Sequence, residues 1–503
     1  MISRREERML REREPKFEDT LLSLIATGRQ PKGIIREARK IIAIARKFND
    51  EVARPASLVI DRKGLEDHRY LPWEYVKKAN EYKLYTLFLP KMFGGQGYSP
   101  ACSCYFMEEL AATCLGMSNI VGAHYLGLTI LLSTWNMKIA ARICREVVEG
   151  EKSGSPCILT LAMTEPNAGT DSQNVEFMDK GGLGCHARRV DGGYVINGNK
   201  IFITMGHVST WHIVQAYTAL DKASETLVTF AVKTGQKGFS FGKQEKKMGQ
   251  KGSVASELIF DECFIPDDQV CLDTEQAASL RRNIKETNEQ LFAYIWSASR
   301  AGVGALGVGA ARGAFETALD FASNHTIDGE RMINHGWCQS MLAEMYKNVA
   351  AGRSLYSEAN FANGMYGLLK LMNFKSIYYT NRFIPKAILL KLFSWICEKK
   401  AATWLFRLIY LDFQEDAEID RVDGWGSMAK FAGSDAGAAN CRMALELMGQ
   451  AGVRHDRRAE KMMRDAKLLQ IYEGTNQINR LNLFKRLVAR SYEDVHIFSS
   501  STR

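Results

Sequence analysis

The sequence predicts an α+β protein that is mainly helical: an N-terminal helical domain, a small middle β domain and a C-terminal helical bundle carrying an inserted helical segment. Two changes of pattern predict this. Apolar residues recur at helical spacing over 34–150, give way to strand-like runs after Pro156, and return to helical spacing from about Glu275 to Tyr492. At 503 residues the chain has room for two or three domains. Apolar content of 46% and charged content of 24% are those of an ordinary globular protein. The formal charge of +9 suits anionic ligands, acidic membranes or nucleic acid and selects none of them. The 11 cysteines form no CxxC pair, and no HExxH is present, so reduced buried thiols are expected and a metal is not.

Residues 1–34 read as a charged N-terminal extension, a helix followed by Arg29-Gln30-Pro31-Lys32-Gly33. Both signs of charge are dense there, so neither a signal peptide nor a transit peptide is expected. Residues 35–156 form the N-terminal helical domain. Ile41, Ile42, Ile44 and Ala45 make one apolar face, residues 84–98 end a helix in a Pro/Gly loop, and 107–131 read as a single buried helix. No uninterrupted apolar run is expected to reach membrane-spanning length. Residues 157–274 are the β domain. Tyr194 to Thr204 reads as strand, Asn197-Gly198 turn, strand.

Residues 275–492 are the bundle, with the insert at about 362–425, and 493–503 are a tail. The stretch 300–322 is rich in Gly and Ala. Glycine lowers helix propensity, so close packing against a backbone or a flat ligand must compensate. Residues 370–407 hold eight Lys/Arg and one acid, Glu398, interleaved with Phe393, Trp395, Trp404 and Phe406. Basic, aromatic helices of this kind lie on membranes or bind partners. Leu390, Phe393 and Ile396 fall on or near one helical face with Lys391 and Lys399 on another, which suits a helix lying flat on a membrane. The alternative is an apolar face packed on the bundle. The acids of 412–420 are expected to be solvated.

The candidate chemistry lies in 449–480. Glu473 follows Ile471-Tyr472 and precedes Gly474, which lets the backbone turn sharply. A carboxylate there, with apolar neighbours, is partly desolvated and basic near neutral pH. Spacing alone favours an ordinary solvated loop acid, because most single acids in loops are not catalytic. In Leu161-Ala162-Met163-Thr164-Glu165-Pro166-Asn167-Ala168-Gly169-Thr170-Asp171 a strand end runs into a Pro/Gly loop. Such a loop offers main-chain N–H groups and two threonine hydroxyls on one surface, or is simply a well-capped turn.

Arg464-Asp465-Ala466-Lys467 followed by Gln470-Ile471-Tyr472-Glu473-Gly474-Thr475-Asn476-Gln477-Ile478 resembles the C-terminal signature of the acyl-CoA dehydrogenase family, and the 161–171 stretch resembles its other signature. The motif order extends the resemblance over roughly residues 35–490. It implies FAD as cofactor, an acyl-CoA as substrate, and Glu473 as the base that removes the α-proton while the β-hydride goes to flavin. It implies that Met163 and Thr164 line the flavin with Leu161 and Gly169 beside them, that Thr170 sits where flavin and CoA meet, and that Phe202 and Thr204 flank the ring, Phe202 replacing the usual tryptophan. Thr475 and Gln477 fall on the cofactor side and Gly474 on the substrate side. Arg300, expected to open the Gly/Ala helix, would lie near Glu473 and the substrate and favour the ionised carboxylate. Ala298 and Ser299 occupy the positions of a base used by other members and cannot serve.

Some positions depart from the family pattern. His325 and Asp328 stand where arginine and phenylalanine usually meet the flavin pyrophosphate, Gly336 replaces a glutamine, and Glu446 with Gly449 and Gln450 replaces a Q-x-x-G-G-x-G turn. An acid near a pyrophosphate repels it. Lys247-Met248-Gly249-Gln250-Lys251-Gly252-Ser253 is expected to be structural. Ser118 stands where decarboxylating relatives carry an arginine, which weighs against a dicarboxylic acyl chain. The resemblance further implies an electron-transfer flavoprotein as electron acceptor and a homotetramer or homodimer. A cytoplasmic protein is expected, its insert touching the inner membrane peripherally or not at all, and no nucleic acid. The alternatives are a relative with little dehydrogenase activity that binds nucleic acid, or a membrane-docked scaffold without flavin.

Overall fold

The computed structural model describes residues 30–173, 175–280, 283–413 and 418–489, together with Ser23. The expected N-terminal charged helix and C-terminal tail lie outside the described residues, the helix almost wholly so.

Six helices form the first domain: α1 (Gly33–Phe48), α2 (Arg54–Glu66), α3 (Trp73–Glu81), α4 (Ser103–Thr113), α5 (Leu115–Ser133) and α6 (Met137–Ser153). α1 buries Ile34, Ile41, Ala45 and Phe48, the helical spacing read from its sequence. The single helix expected over 107–131 is two, because Cys114 is extended at φ −159° and ψ 110°. No Gly or Pro marks the break. It is a tertiary effect, with Lys461 from a distant helix placing its Nζ 3.2 Å from the Cys114 thiol. α5, at 19 residues, is long and apolar enough overall to cross a membrane, but Ser118, Asn119 and His124 interrupt its apolar run and most of it is buried in the core. The Pro/Gly loop is reached through a single 3-10 turn, Leu84–Thr86, after α3 has already ended at Glu81.

The β domain is one eight-stranded sheet: β1 (Leu159–Ala162), β2 (His186–Val190), β3 (Gly193–Thr204), β4 (Trp211–Tyr217), β5 (Leu227–Lys233), β6 (Phe239–Gln244), β7 (Ala255–Pro266) and β8 (Val270–Leu272). The order is β6-β7-β3-β2-β4-β5-β8, with β1 parallel to β4. Asn197-Gly198 is not a turn. β3 runs straight through it, with a register shift against β7 between Ile196 and Gly198. Asn197 Nδ2 donates to Glu262 Oε1 at 2.7 Å and anchors this bulge. The hairpin turn of the same chemistry is Asp191-Gly192, two residues between paired Val190 and Gly193.

The bundle comprises α7 (Ile284–Asn324), α8 (Gly336–Met365), α9 (Lys375–Phe383), α10 (Lys386–Ile396), α11 (Lys400–Phe413), α12 (Ile419–Met448), α13 (Ala459–Leu469) and α14 (Asn476–Leu483). Arg300 lies well inside α7 and does not open it. The Gly/Ala stretch is a packing seam: a Cβ on Gly307 would lie 2.4 Å from the Gly433 carbonyl carbon, and one on Gly304 2.5 Å from the Ala429 oxygen. Within the insert, α10 and α11 pack on the first domain and the edge of the β domain, while its two ends join the bundle core. Phe406 stacks on Trp135 with centroids 5.9 Å apart, and Arg407 donates to the carbonyls of Thr134 at 2.8 Å and Cys271 at 2.6 Å. Of the acids expected to be solvated, Glu418 pairs with Arg421 and Asp420 with Arg486, and the side chains of 412–417 lie outside the described residues.

Candidate active site

Glu473 stands in a loop fixed from both sides. α13 ends at Leu469, and α14 begins after Thr475, whose hydroxyl accepts the Ile478 N–H at 3.3 Å. Between them Glu473 and Gly474 both adopt left-handed backbones, φ +56° and +76°. Glycine takes this conformation freely; for Glu473 it costs roughly 1–3 kcal/mol, which the surroundings must supply. Asn479 Nδ2 donates to the Gly474 oxygen at 2.9 Å and the Thr475 oxygen at 3.0 Å. Lys430 of α12 donates to the Gly474 oxygen at 2.6 Å and to Asn476 Oδ1 at 2.7 Å.

This loop lines a cavity of about 810 Å³. The Glu473 residue keeps some accessible surface, but its Oε2 is sealed and has no hydrogen-bond partner among the described residues. Burial raises its pKa above the ordinary carboxylate range, while the Ser299 hydroxyl and then the charges of Arg300 and Lys430 pull it back. Burial lowers Lys430 to about 7, and the Glu473 carboxylate opposes that shift.

The facing wall comes from the β domain. Buried Glu165 holds Lys200 at 2.6 Å, Lys200 also donates to the Met163 oxygen at 3.1 Å, and the Ile201 N–H donates to the Thr164 oxygen at 2.8 Å. These bonds shape the turn so that Leu161, Met163, Thr164, Gly169 and Thr170 line the cavity with Phe202 and Thr204 of β3. Phe202 has φ +57° and is 56% exposed, an aromatic ring held at the cavity wall in an unfavourable backbone.

Gly474 and Thr475 complete the expected set on the Glu473 side. Arg300, expected to touch substrate, does not line the cavity: its guanidinium pairs with buried Asp423 at 2.7 Å and with Ser427 at 3.2 Å. His325, Glu446, Gly449, Gln450 and Gln477 are exposed and outside the cavity. His325 stacks on Phe321, Glu446 pairs with Arg442, and Asp328 forms the turn after α7.

Three domains of the chain match family models: residues 36–151 the acyl-CoA dehydrogenase N-terminal domain, 160–263 the middle domain, and 294–362 with 388–488 the C-terminal domain. The chain belongs to the acyl-CoA dehydrogenase family. The skipped stretch, 363–387, falls within the expected insert. Cyclohex-1-ene-1-carbonyl-CoA dehydrogenase of Geobacter metallireducens is 28% identical over 90% of this chain and 97% of its own length. Butyryl-CoA dehydrogenase of Megasphaera elsdenii shares the fold at TM-score 0.68 and 20% identity, covering 90% of this chain and 98% of its own. A glutaryl-CoA dehydrogenase of Mycobacterium smegmatis, in complex with FADH2, does so at TM-score 0.65 and 18% identity, covering 90% and 94%.

In this acyl-CoA dehydrogenase the signature around Arg464 is a clamp. Arg464 pairs with Asp61 of the first domain at 2.7 Å, and Asp465 accepts the Gln250 N–H from the β domain. The 247–253 loop, expected to be structural only, also reaches the cavity: Lys247 and Gln250 line it, Gln250 Nε2 donates to the Tyr472 hydroxyl at 3.3 Å, and burial lowers Lys247 to about 8. Ser299 and Lys430 had no motif to mark them. Asp61, His455 and Glu460 converge within metal-ligand reach of one another, but Arg464 already pairs with Asp61 and Glu460.

Proposed function

We propose that this chain catalyses FAD-dependent α,β-dehydrogenation of an acyl-CoA thioester, with Glu473 as the base. The observation that supports this best is the Glu473 carboxyl: sealed, raised in pKa, and in one cavity with Met163, Thr164, Thr170, Phe202 and Thr204. When bound there, FAD supplies the hydride acceptor. The wall fits a flavin ring in two respects. Trp296 Nε1 and Gln173 Oε1 are buried polar atoms without hydrogen-bond partners among the described residues, and a Cβ on Gly169 would meet no atom within 4 Å. The threonine hydroxyls and main chain of 163–170 would hold the ring.

Glu473 takes the α-proton because burial makes it more basic than an exposed acid, while Ser299, Arg300 and Lys430 favour its ionised form against that burial. Arg300 acts through that charge and as the partner of Asp423. Apart from Glu473, the only charged residues lining the cavity, among those described, are Glu245, Lys246 and Lys247 of one loop, so the neutral remainder suits an apolar acyl group. Exposed His325, Glu446, Gly449, Gln450 and Gln477 would meet the FAD pyrophosphate only across a contact with another copy of this chain, which fits a homodimer or homotetramer. Electrons would leave to an electron-transfer flavoprotein.

Glu473→Gln tests the base. The variant should retain its fold and flavin absorbance and lose acyl-CoA-dependent flavin bleaching by about 10²–10⁴-fold in rapid mixing. Bleaching at the wild-type rate would remove Glu473 from the reaction.

A further inference from the structure

We propose that the outward face of α10 and α11 docks on an anionic lipid bilayer. A surface helix of a soluble protein turns its apolar stripe inward and its polar stripe out. α10 does not follow that rule. Its inner side buries Leu389 and brings Phe393 near Phe406 of α11. Its outer side carries Ile388, Leu392 and Trp395, spaced i, i+4, i+7, at 57%, 52% and 67% exposure. On α11, Arg407 and Tyr410 point inward, whereas Trp404, Leu405 and Ile409 are exposed. The inward anchors to Trp135, Thr134 and Cys271 hold both helices in place, so the outer side chains have no core of their own to collapse into.

Charge selects the occupant. Residues 370–407 carry eight Lys/Arg and one acid, a net +7 against +9 for the whole chain; Arg382 pairs with Glu37 and Arg407 points inward, so lysines supply the charge of the outward face. Exposed Lys386, Lys391, Lys399 and Lys400 accompany the apolar stripes, with Lys399 Nζ 5.0 Å from the Trp395 ring centre. Lysine beside tryptophan and aliphatic side chains is the composition that enters a headgroup layer, the apolar groups reaching the acyl boundary and the ammonium groups meeting lipid phosphates. A second copy of this chain on the same face would set these lysines against their own equivalents. α10, at about 16 Å for its 11 residues, is too short to span and so lies flat. The inner side of α11 reaches the cavity through Tyr410, so the lipid surface would lie one helical layer from the site.

Flotation of the purified full chain decides this, using vesicles of phosphatidylcholine alone and of equal parts phosphatidylcholine and phosphatidylglycerol. The wild type should float with the mixed vesicles and not the neutral ones, shift its tryptophan emission to the blue on binding, and be released by high salt. The triple variant Ile388→Ser/Leu392→Ser/Trp395→Ser should bind the mixed vesicles at least tenfold more weakly with an unchanged melting temperature. Lys391→Glu/Lys400→Glu, which alters no inward contact, should lose the preference for anionic lipid. A wild type that stays soluble, or variants that float as well as it does, would overturn the proposal. So would a triple variant that changes oligomeric state by light scattering while neither protein floats, since the face would then be buried between copies. Activity is not the readout, so failure here leaves the assignment of Glu473 untouched.

Discussion

Where α7 crosses α12 the contact is made by glycine and alanine, with Gly304, Gly307 and Gly433 bringing backbone onto backbone. Where α10 and α11 meet the first domain it is made by Trp135, Phe393 and Phe406, with the Arg407 guanidinium on the Thr134 carbonyl. Both regions are apolar and helical, and they do opposite things. The small-residue seam leaves no room for adjustment, because interiors are close-packed and a backbone cannot rotate away as a side chain can. It therefore fixes Ser299 and Arg300 on one helix and Lys430 on the other, the three groups that pull the pKa of Glu473 back against burial. The bulky contact uses one side of each helix and leaves the other side apolar and exposed. Small residues here build precision around a charge; large residues build a platform with a free surface.

Breaking the seam should cost most. Gly307→Val places a methyl-bearing Cβ 2.4 Å from the Gly433 backbone, and neither helix can yield without moving the site. A loss of about 3 kcal/mol or more is expected. Chemical denaturation with flavin absorbance in parallel would show both losses together. Wild-type stability in the Gly307→Val variant would mean that the seam is looser than its glycines suggest. The platform has its own inner contact, so Phe393→Ala should cost about 2–3 kcal/mol, toward the lower end for an aromatic truncation because the ring is only partly buried. Flavin content should not change, which separates it from Gly307→Val.

Ser299→Ala sharpens the comparison at the active end of the seam. The hydroxyl favours the ionised form of Glu473, so its loss should raise that carboxyl further. A base works only when deprotonated, so activity is present above its pKa and falls as pH drops through it. The acid limb of the rate profile should therefore lie above the usual carboxylate range in the wild type and move to still higher pH in the variant. One hydrogen bond of about 1 kcal/mol corresponds to somewhat under one pH unit. A limb that stays in place, measured as acyl-CoA-dependent flavin reduction against pH, would show that Ser299 does not act on Glu473. The smallest effect belongs to the outer side of the platform. Leu392→Ser should change stability by no more than about 0.5 kcal/mol, since Leu392 contributes to no core. Thermal unfolding of Phe393→Ala and Leu392→Ser side by side reads the two faces of one helix.

The sequence by itself determined what short stretches encode. The α–β–α order follows from apolar periodicity. The turn at Glu473 follows from the glycine after it, and the loop after β1 from a strand end meeting Pro and Gly; the lining role of Met163, Thr164 and Thr170 was implied by the resemblance to the family. Backbone preference is local, so these features were legible. Tertiary structure alone decided which of two similar signals became the hairpin, Asp191-Gly192 turning and Asn197-Gly198 bulging, because both pairs tolerate the backbone and only the pairing with β7 distinguishes them. It turned Arg300 toward Asp423 and out of the cavity, and brought Lys430 and Ser299 to Glu473 from other helices. It also chose the inner face of α10: Phe393 packs against its neighbours, while Ile388, Leu392 and Trp395 stay outside. With apolar residues on both sides of Lys391, periodicity marked Leu390, Phe393 and Ile396 as one face but not which way it turns; the surface it packs against decided that.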